Sequence, residues 1–325
     1  MKSFRTDVRV SPSTQKIGLK NPILTIGSCF ADAIGTRLRQ NKFTALINPF
    51  GILYNPVSLH KVLRYAIHLE PPHANTYVRN NDLTLNYDFH SEFSHPEEKT
   101  LVSRLQNVIG ASHYFLKDAE WIIVTYGTAW VYCRKDCGEI VANCHKMPGS
   151  YFTKSLLTES EIMESFKTFY DSLIKFNPRI RIILTLSPVR HSKDTLELNS
   201  VSKAILRTAC HRMAETYPAV DYFPAYEIMM DDLRDYRFYK SDLIHPTEDA
   251  EDYIWDKFSE CYFDEATHIF LKQWRSIRSA LSHQPFHPAT LAHRQFLMDT
   301  LKKLEEVKDK VDVSEEAGYI KGQLS

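Results

Sequence analysis

Five short apolar runs separated by amphipathic helical stretches constrain the fold of this 325-residue chain. The runs lie at 22–27, 43–48, 120–127, 179–188 and 219–226. Such alternation is typical of βαβ units, which stack with right-handed connections into a parallel sheet covered by helices on both faces. The sequence therefore predicts a three-layer α/β/α fold whose core is a doubly wound parallel sheet of about five strands.

The predicted α/β domain spans 1–262 and carries two insertions. Insertion 70–98 is rich in Pro, His, Asn and Asp, and 133–149 has the pattern of a small hairpin followed by a loop. The remaining residues, 263–325, carry two helical patterns broken by the segment HQPFHP. We expect a C-terminal helical hairpin that docks either on the domain or on a second subunit of a homo-oligomer.

The charge balance and the chain start exclude several classes of protein. Forty basic and forty acidic residues give a formal net charge of zero, which lacks the electrostatic footprint of a nucleic-acid binder. The start, MKSFRTDVRV, has no apolar core of a signal peptide, and no apolar run is long enough to span a membrane. We therefore expect a cytoplasmic protein with reduced cysteines.

Glycine is scarce, and several glycines fall where predicted strands end. The chain has only 10 glycines, about half of the usual frequency of roughly 7%. Gly27 ends the first strand, Gly51 closes the loop after the second, and Gly127 ends the third. Ligands of parallel sheets bind at this carboxyl edge, and a glycine lets a backbone N–H approach a ligand closely. We expect the functional site there.

Two polar groups at this edge have the chemistry of a serine hydrolase. Ser28 follows Gly27 at the start of the first helix, either as a simple N-cap or as a nucleophile whose N–H faces an oxyanion. Asp242 precedes His245 by three residues after the last strand, a spacing that lets the carboxylate orient the imidazole. The alternative is an ordinary polar turn, with Thr247 capping the next helix.

Seven segments carry a resemblance to a known family: GSCFA (27–31), NPFGILYNP (48–56), YDFHSEF (87–93), YGTAWVY (126–132), NCHK (143–146), SPVRH (187–191) and DLIHP (242–246). The chain resembles the GSCFA family over about 20–250. That family is similar to the SGNH/GDSL hydrolases, which share a flavodoxin-like sheet and mostly cleave or transfer O-acyl groups. The resemblance implies Ser28 as nucleophile, His245 as general base and Asp242 as the orienting carboxylate.

The same resemblance implies an oxyanion hole, with one departure. SGNH enzymes use the serine N–H, a glycine N–H after the second strand and an Asn in a Gly-x-Asn motif after the third. Ser28 and Gly51 match the first two, but Ala129 stands where the Asn is expected. Loss of one such donor typically costs about 10²–10³ in rate. We expect a substitute, although ordinary turn or surface roles would also explain each candidate: Thr128, Asn143, His145 and His90.

The cysteines give weaker signals. A metal site would have to be drawn from Cys133, Cys137, Cys144 and His145. Their spacing lacks the paired C-x₂-C knuckles of zinc sites, so we predict neither a metal nor a cofactor. Cys29 is expected to point away from Ser28 into the core. If Cys29 were the nucleophile, thiol reagents would abolish activity and Ser28→Ala would not.

The sequence therefore predicts a serine esterase or deacetylase that acts on an acylated small molecule or glycan through an acyl-enzyme on Ser28. An O-acyltransferase on a polysaccharide or sugar, using the same residues, is the first alternative, and product analysis with and without an acceptor separates the two. A non-catalytic glycan-binding module is the second alternative. The missing Asn at Ala129 favours it, and ligand binding without turnover would support it.

Overall fold

The structure is a computed structural model, and it describes residues 6–324. The strands are β1 Ile23–Gly27, β2 Ala45–Ile47, β3 Tyr77–Asn80, β4 Leu83–Asn86, β5 Ser94–His95, β6 Trp121–Tyr126, β7 Trp130–Arg134, β8 Ile140–Val141, β9 Phe152–Leu156, β10 Arg181–Leu186 and β11 Val220–Phe223. The helices are α1 Cys29–Gln40, α2 Pro56–His68, α3 Glu98–Asp118, α4 Glu159–Phe176, α5 Thr195–Thr216, the short α6 Ala225–Glu227, α7 Glu248–Tyr262, α8 Glu265–Leu281, α9 Leu291–Val307 and α10 Ser314–Leu324.

The central sheet has five parallel strands in the order β2-β1-β6-β10-β11. Every residue of β1 and β6 is buried, because helices cover both faces of the sheet. The continuous apolar runs of the sequence reflect this two-sided burial. The predicted five-strand α/β/α architecture is confirmed, and the observed strands are a residue or more shorter than the apolar runs that predicted them.

Two apolar cores lie on opposite faces of the sheet. On one face, helices α2 to α5 contribute buried residues such as Leu105, Phe166 and Leu206. On the other face, α1 and α7 contribute residues such as Ile34 and Phe258. This arrangement fixes the β1–α1 turn and the β11–α7 loop at the same edge of the sheet, where the functional residues are expected.

The two insertions contain more strand than the sequence predicted. Segment 70–98 forms the antiparallel sheet β3-β4-β5, where only a loop was expected. The hairpin expected in 133–149 is β7–β8, which begins at Trp130, three residues before the predicted insertion, and β9 adds a third strand beyond it. These strands are short, and the exposed middle of β9 is polar, so their hydrophobic alternation is weak.

The C-terminal extension has three helices, α8 to α10, rather than the two that were predicted. They surround their own small core, which includes Phe270, Trp274 and Leu304. The extension also packs on the α/β domain: the Trp274 indole donates to the backbone oxygen of Gln40 at 2.8 Å. Helix α10 was missed because its sequence, SEEAGYIKGQL, contains two glycines and buries only Ile320.

Candidate active site

The turn between β1 and α1 places Ser28 deep at the carboxyl edge of the sheet. Gly27 has a φ of +138°, and a Cβ at this position would lie 2.1 Å from the Thr125 oxygen. Only glycine fits this approach of β1 to β6 without movement of the backbone. Ser28 is 1% exposed and caps α1, its hydroxyl accepting a hydrogen bond from Phe30 N–H at 3.3 Å. This bond uses an oxygen lone pair and leaves the hydroxyl proton to be donated.

Asp242 and His245 form a closed pair in the loop before α7. The Asp242 Oδ2 atom lies 2.7 Å from His245 Nδ1. Its Oδ1 atom accepts the backbone N–H groups of Ile244 at 2.9 Å and His245 at 3.0 Å. The pKa of Asp242 is held well below its usual range. The backbone N–H of His245 has the largest effect, followed by that of Ile244 and then by the His245 imidazole. A carboxylate that stays ionised holds the proton on Nδ1 and leaves Nε2 to accept one.

Ser28 and His245 lie at the same edge but are not hydrogen-bonded to each other in the part of the chain that the structure describes. The His245 side chain is 42% exposed and lines a groove of about 1520 Å³ between α1 and helices α7 and α8. Cys29 lines the same groove. Thr247 caps α7, as expected from the sequence if this segment is an ordinary polar turn. The nucleophile candidate is therefore buried beside a groove that the base candidate faces.

Both backbone donors of the expected oxyanion hole are engaged within the protein. Ser28 N–H donates to the Thr125 oxygen at 3.2 Å, and Gly51 N–H donates to the Asn48 oxygen at 2.8 Å. Gly51 has a φ of +76° because the loop turns sharply here, and a Cβ would lie 2.3 Å from the Cβ of His90. Asn48 also ties this loop to β1, since its Oδ1 accepts Gly27 N–H at 2.8 Å.

The segment after β6 is held by α5. Ala129 is fully buried, and its N–H donates to the Ser202 hydroxyl at 2.7 Å. The Thr128 hydroxyl lies 3.1 Å from the same Ser202 oxygen and accepts Trp130 N–H at 3.1 Å. Thr128 therefore anchors this loop on α5.

The remaining predicted donors lie in or beside the small sheets. His145 is buried, with Nε2 2.7 Å from the Asn86 oxygen and Nδ1 3.3 Å from the Ser91 hydroxyl. Asn143 donates to the same Ser91 hydroxyl at 3.0 Å. Both residues thus tie the 133–149 insertion to the 70–98 insertion. His90 differs from them: its side chain is 33% exposed and packs against Gly51.

Two residues at this edge, His191 and Lys203, were given no role from the sequence. Lys203 is fully buried, and its ammonium donates to the oxygens of Gly127 at 2.8 Å and Ser187 at 2.7 Å. Burial lowers the pKa of Lys203 to about 7. The sequence does hold a signal for Lys203, since it falls on the buried stripe of α5 that continues through Leu206.

Cys29 does not lie in the core as expected. It is half-buried and lines the groove, and burial raises the pKa of its thiol. A raised pKa disfavours the thiolate, which is the nucleophilic form. Within residues 6–324, no cluster of three or more His, Cys, Asp or Glu side chains has the arrangement of a metal site. None of the helices in the same range is long and apolar enough to cross a membrane.

Comparisons with known proteins match two segments of the chain. A model of the GSCFA family matches residues 22–258, and a model described as the GSCFA domain protein, C-terminal domain, matches 274–325. Among solved structures, a protein from Streptococcus pneumonia, described provisionally as a platelet activating factor, is 11% identical, with a TM-score of 0.39. That similarity covers 74% of this chain and 83% of the other. No curated protein matches the chain.

Proposed function

Because the chain belongs to the GSCFA family and carries an Asp–His pair at the same sheet edge as a strand-end serine, we propose that it is a serine esterase. Its substrate is an O-acylated small molecule or glycan, and the reaction passes through an acyl-enzyme on Ser28. The observation that carries this proposal is the 2.7 Å contact between Asp242 and His245. It leaves the imidazole with one nitrogen free to accept a proton.

In the proposed mechanism, His245 Nε2 removes the Ser28 proton while Oγ attacks the ester carbonyl carbon. The tetrahedral intermediate collapses, the ester C–O bond breaks, and the imidazolium gives its proton to the leaving alcohol. Water then attacks the acyl-enzyme with His245 again as base, which releases the carboxylic acid and restores Ser28. Asp242 remains a carboxylate throughout and stabilises the imidazolium.

The mechanism requires His245 to come within hydrogen-bond distance of Ser28, about 3 Å. The His245 side chain is 42% exposed and lines the groove. The proposed mechanism therefore includes a movement of the imidazole over the end of β1 when substrate binds. Catalytic hydrogen bonds are often long before substrate binds and tighten in the complex. The amides of Ser28 and Gly51 must likewise exchange their present acceptors for the substrate oxygen.

A fluorophosphonate probe tests the proposal, because it reacts covalently with an activated serine. We expect labelling of the wild type, none of Ser28→Ala, and undiminished labelling of Cys29→Ala, the matched control in the same turn. A digest should place the adduct on Ser28. Labelling that survives Ser28→Ala, or a wild type that is never labelled, would refute the assignment.

The size of the groove favours a second candidate, an O-acyltransferase. A groove of about 1520 Å³ beside His245 has room for a sugar acceptor as well as an acyl donor. In that reaction a sugar hydroxyl replaces water in the attack on the acyl-enzyme. Product analysis with p-nitrophenyl acetate, with and without an oligosaccharide, separates the two: an acetylated sugar identifies a transferase and free acetate an esterase.

The burial of Ser28 favours a third candidate, a non-catalytic glycan-binding module. In that case the engaged amides of Ser28 and Gly51 are simply structural. Binding of an oligosaccharide by calorimetry, together with no labelling by fluorophosphonate, is the expected result for such a module. Labelling that depends on Ser28 excludes it.

A further inference from the structure

The proposed esterase lacks a third donor for the substrate oxygen, and the candidates from the sequence do not supply one readily. Ala129 faces the core. Thr128 is bonded to the loop and to α5, and Asn143 and His145 hold the two insertions together. The His90 ring is one-third exposed to solvent, and its Nδ1 accepts Glu92 N–H at 3.4 Å. A donor at this edge that has no partner within the protein would fill the role.

His191 has such a group. Its Nε2 atom is buried and has no hydrogen-bond partner among the described residues. Buried polar atoms are nearly always paired, so an orphan at the ligand-binding edge of a sheet calls for an explanation. The ring is held edge-on against Tyr54, with centroids 5.4 Å apart, and the backbone N–H of His191 donates to Asn199 at 3.1 Å. Tyr54 therefore fixes one side of the ring, and Asn199 fixes the backbone that carries it.

The position of His191 links the end of β6 to the Asp–His turn. A Cβ at Gly127 would lie 3.2 Å from His191 Nε2, so the absence of a side chain at Gly127 leaves this nitrogen room. Gly127 directly follows β6, which neighbours β1, the strand that leads into Ser28. The preceding residue, Arg190, donates its N–H to the Ile244 oxygen at 3.4 Å. His191 thus lies beside the end of β6 and directly follows a residue that contacts the turn carrying His245.

We propose that His191 is a catalytic residue of this esterase, whose Nε2–H donates to the substrate carbonyl oxygen as negative charge develops there. It takes the part that the resemblance gives to an Asn at Ala129. This inference rests on the proposed function and names a residue of the same site. The lone pair of the oxyanion supplies the partner that Nε2 lacks among the described residues.

The charges around the ring support this role. Burial, and then the nearby Lys203 ammonium, lower the pKa of His191 to about 4. His245 lowers it further, while Asp194 raises it. The ring is therefore neutral at physiological pH and carries a single N–H, which the proposal assigns to Nε2. A neutral donor does not compete with His245 as an acid.

Kinetics with p-nitrophenyl acetate test the inference. We expect His191→Ala to lose about 10²–10³-fold in kcat with little change in KM, because the interaction strengthens only in the transition state. His191→Gln, which restores an N–H donor, should recover part of the loss. The matched control is His113→Ala, which removes another half-buried imidazole, one bonded to the Ala66 oxygen on the far side of α2. An unchanged kcat in a folded His191→Ala would overturn the inference.

Imidazole ¹⁵N NMR gives a readout that needs no turnover, and the loss of one signal in His191→Ala identifies His191 among the 14 histidines. The free protein should show His191 as the neutral Nε2–H tautomer, and the fluorophosphonate adduct should shift that proton as it bonds to the phosphonyl oxygen. An adduct on Ser28 with an unperturbed His191 refutes this inference and leaves the esterase standing. A wild type that forms no adduct refutes the esterase and this inference together.

Discussion

The buried Lys203 should make the stability of this protein depend on pH in a way that one substitution removes. Its pKa is about 7 in the folded protein, against 10.5 for an ordinary lysine. At a pH between these two pKa values, Lys203 therefore keeps its proton in the unfolded chain and has released it in the folded chain. Because the unfolded state binds more protons in this window, stability rises with pH there and is flat below about pH 7.

The size of the effect follows from the two pKa values. A difference of 10.5 − 7 = 3.5 units corresponds to about 5 kcal/mol over the whole window, at roughly 1.4 kcal/mol per unit. Between about pH 7 and about pH 9 the group contributes about 2 kcal/mol of that rise. Lys203→Met keeps the aliphatic stem, removes the titrating group and leaves the Gly127 and Ser187 oxygens without their donor. The last cost is independent of pH.

The assay is urea unfolding of the wild type and Lys203→Met at several pH values between about 6 and 9. Between pH 7 and pH 9, the free energy of unfolding of the wild type should rise by about 2 kcal/mol more than that of Lys203→Met. The matched control is Lys193→Met, which removes an exposed lysine before α5 and should track the wild type. A difference between wild type and Lys203→Met that is constant across this range would refute the reasoning.

Three further predictions concern the β1–α1 turn, with a control glycine on α3, the Asp–His pair and the C-terminal extension. Gly27→Ala should cost more than about 4 kcal/mol in urea unfolding, because its Cβ would lie 2.1 Å from the Thr125 oxygen. Gly110→Ala, in open space on α3, should instead stabilise by about 0.5–1 kcal/mol. Asp242→Asn should lower kcat on p-nitrophenyl acetate by about 10⁴-fold, while an unchanged rate would exclude the Asp–His pair. Trp274→Ala should cost about 3–5 kcal/mol in unfolding, and a loss below about 1 kcal/mol would contradict its burial between extension and domain.

The sequence predicts the central sheet well because strands buried on both faces, such as β1, β6 and β10, consist of continuous apolar runs. It predicts the small sheets poorly because their strands are short and partly exposed. Strand β5, for example, is the dipeptide Ser94–His95, which no periodicity can reveal. Helix α10 lacks a clear apolar stripe for a similar reason.

The candidate site likewise contains residues that the sequence predicts well and residues that it predicts poorly. Asp242 and His245 are close in sequence, so a single turn brings them together, a contact that their spacing allows. His191 and Lys203 depend instead on long-range packing. The orphaned Nε2 of His191 arises only when the loops after β6 and β10 meet, and the pKa of Lys203 is lowered only because α5 buries its ammonium beneath two strand ends. The helical spacing of α5 predicts that Lys203 is buried, but no local pattern shows which oxygens it contacts.

Acid quench of a p-nitrophenyl acetate reaction, followed by mass mapping of the peptides, tests the central claim most directly, because it captures the covalent intermediate itself. The proposed mechanism predicts one acetyl group on Ser28, formed during turnover and absent from Ser28→Ala. Release of p-nitrophenol with no acetyl group on Ser28, or with the acetyl group on Cys29, would contradict it.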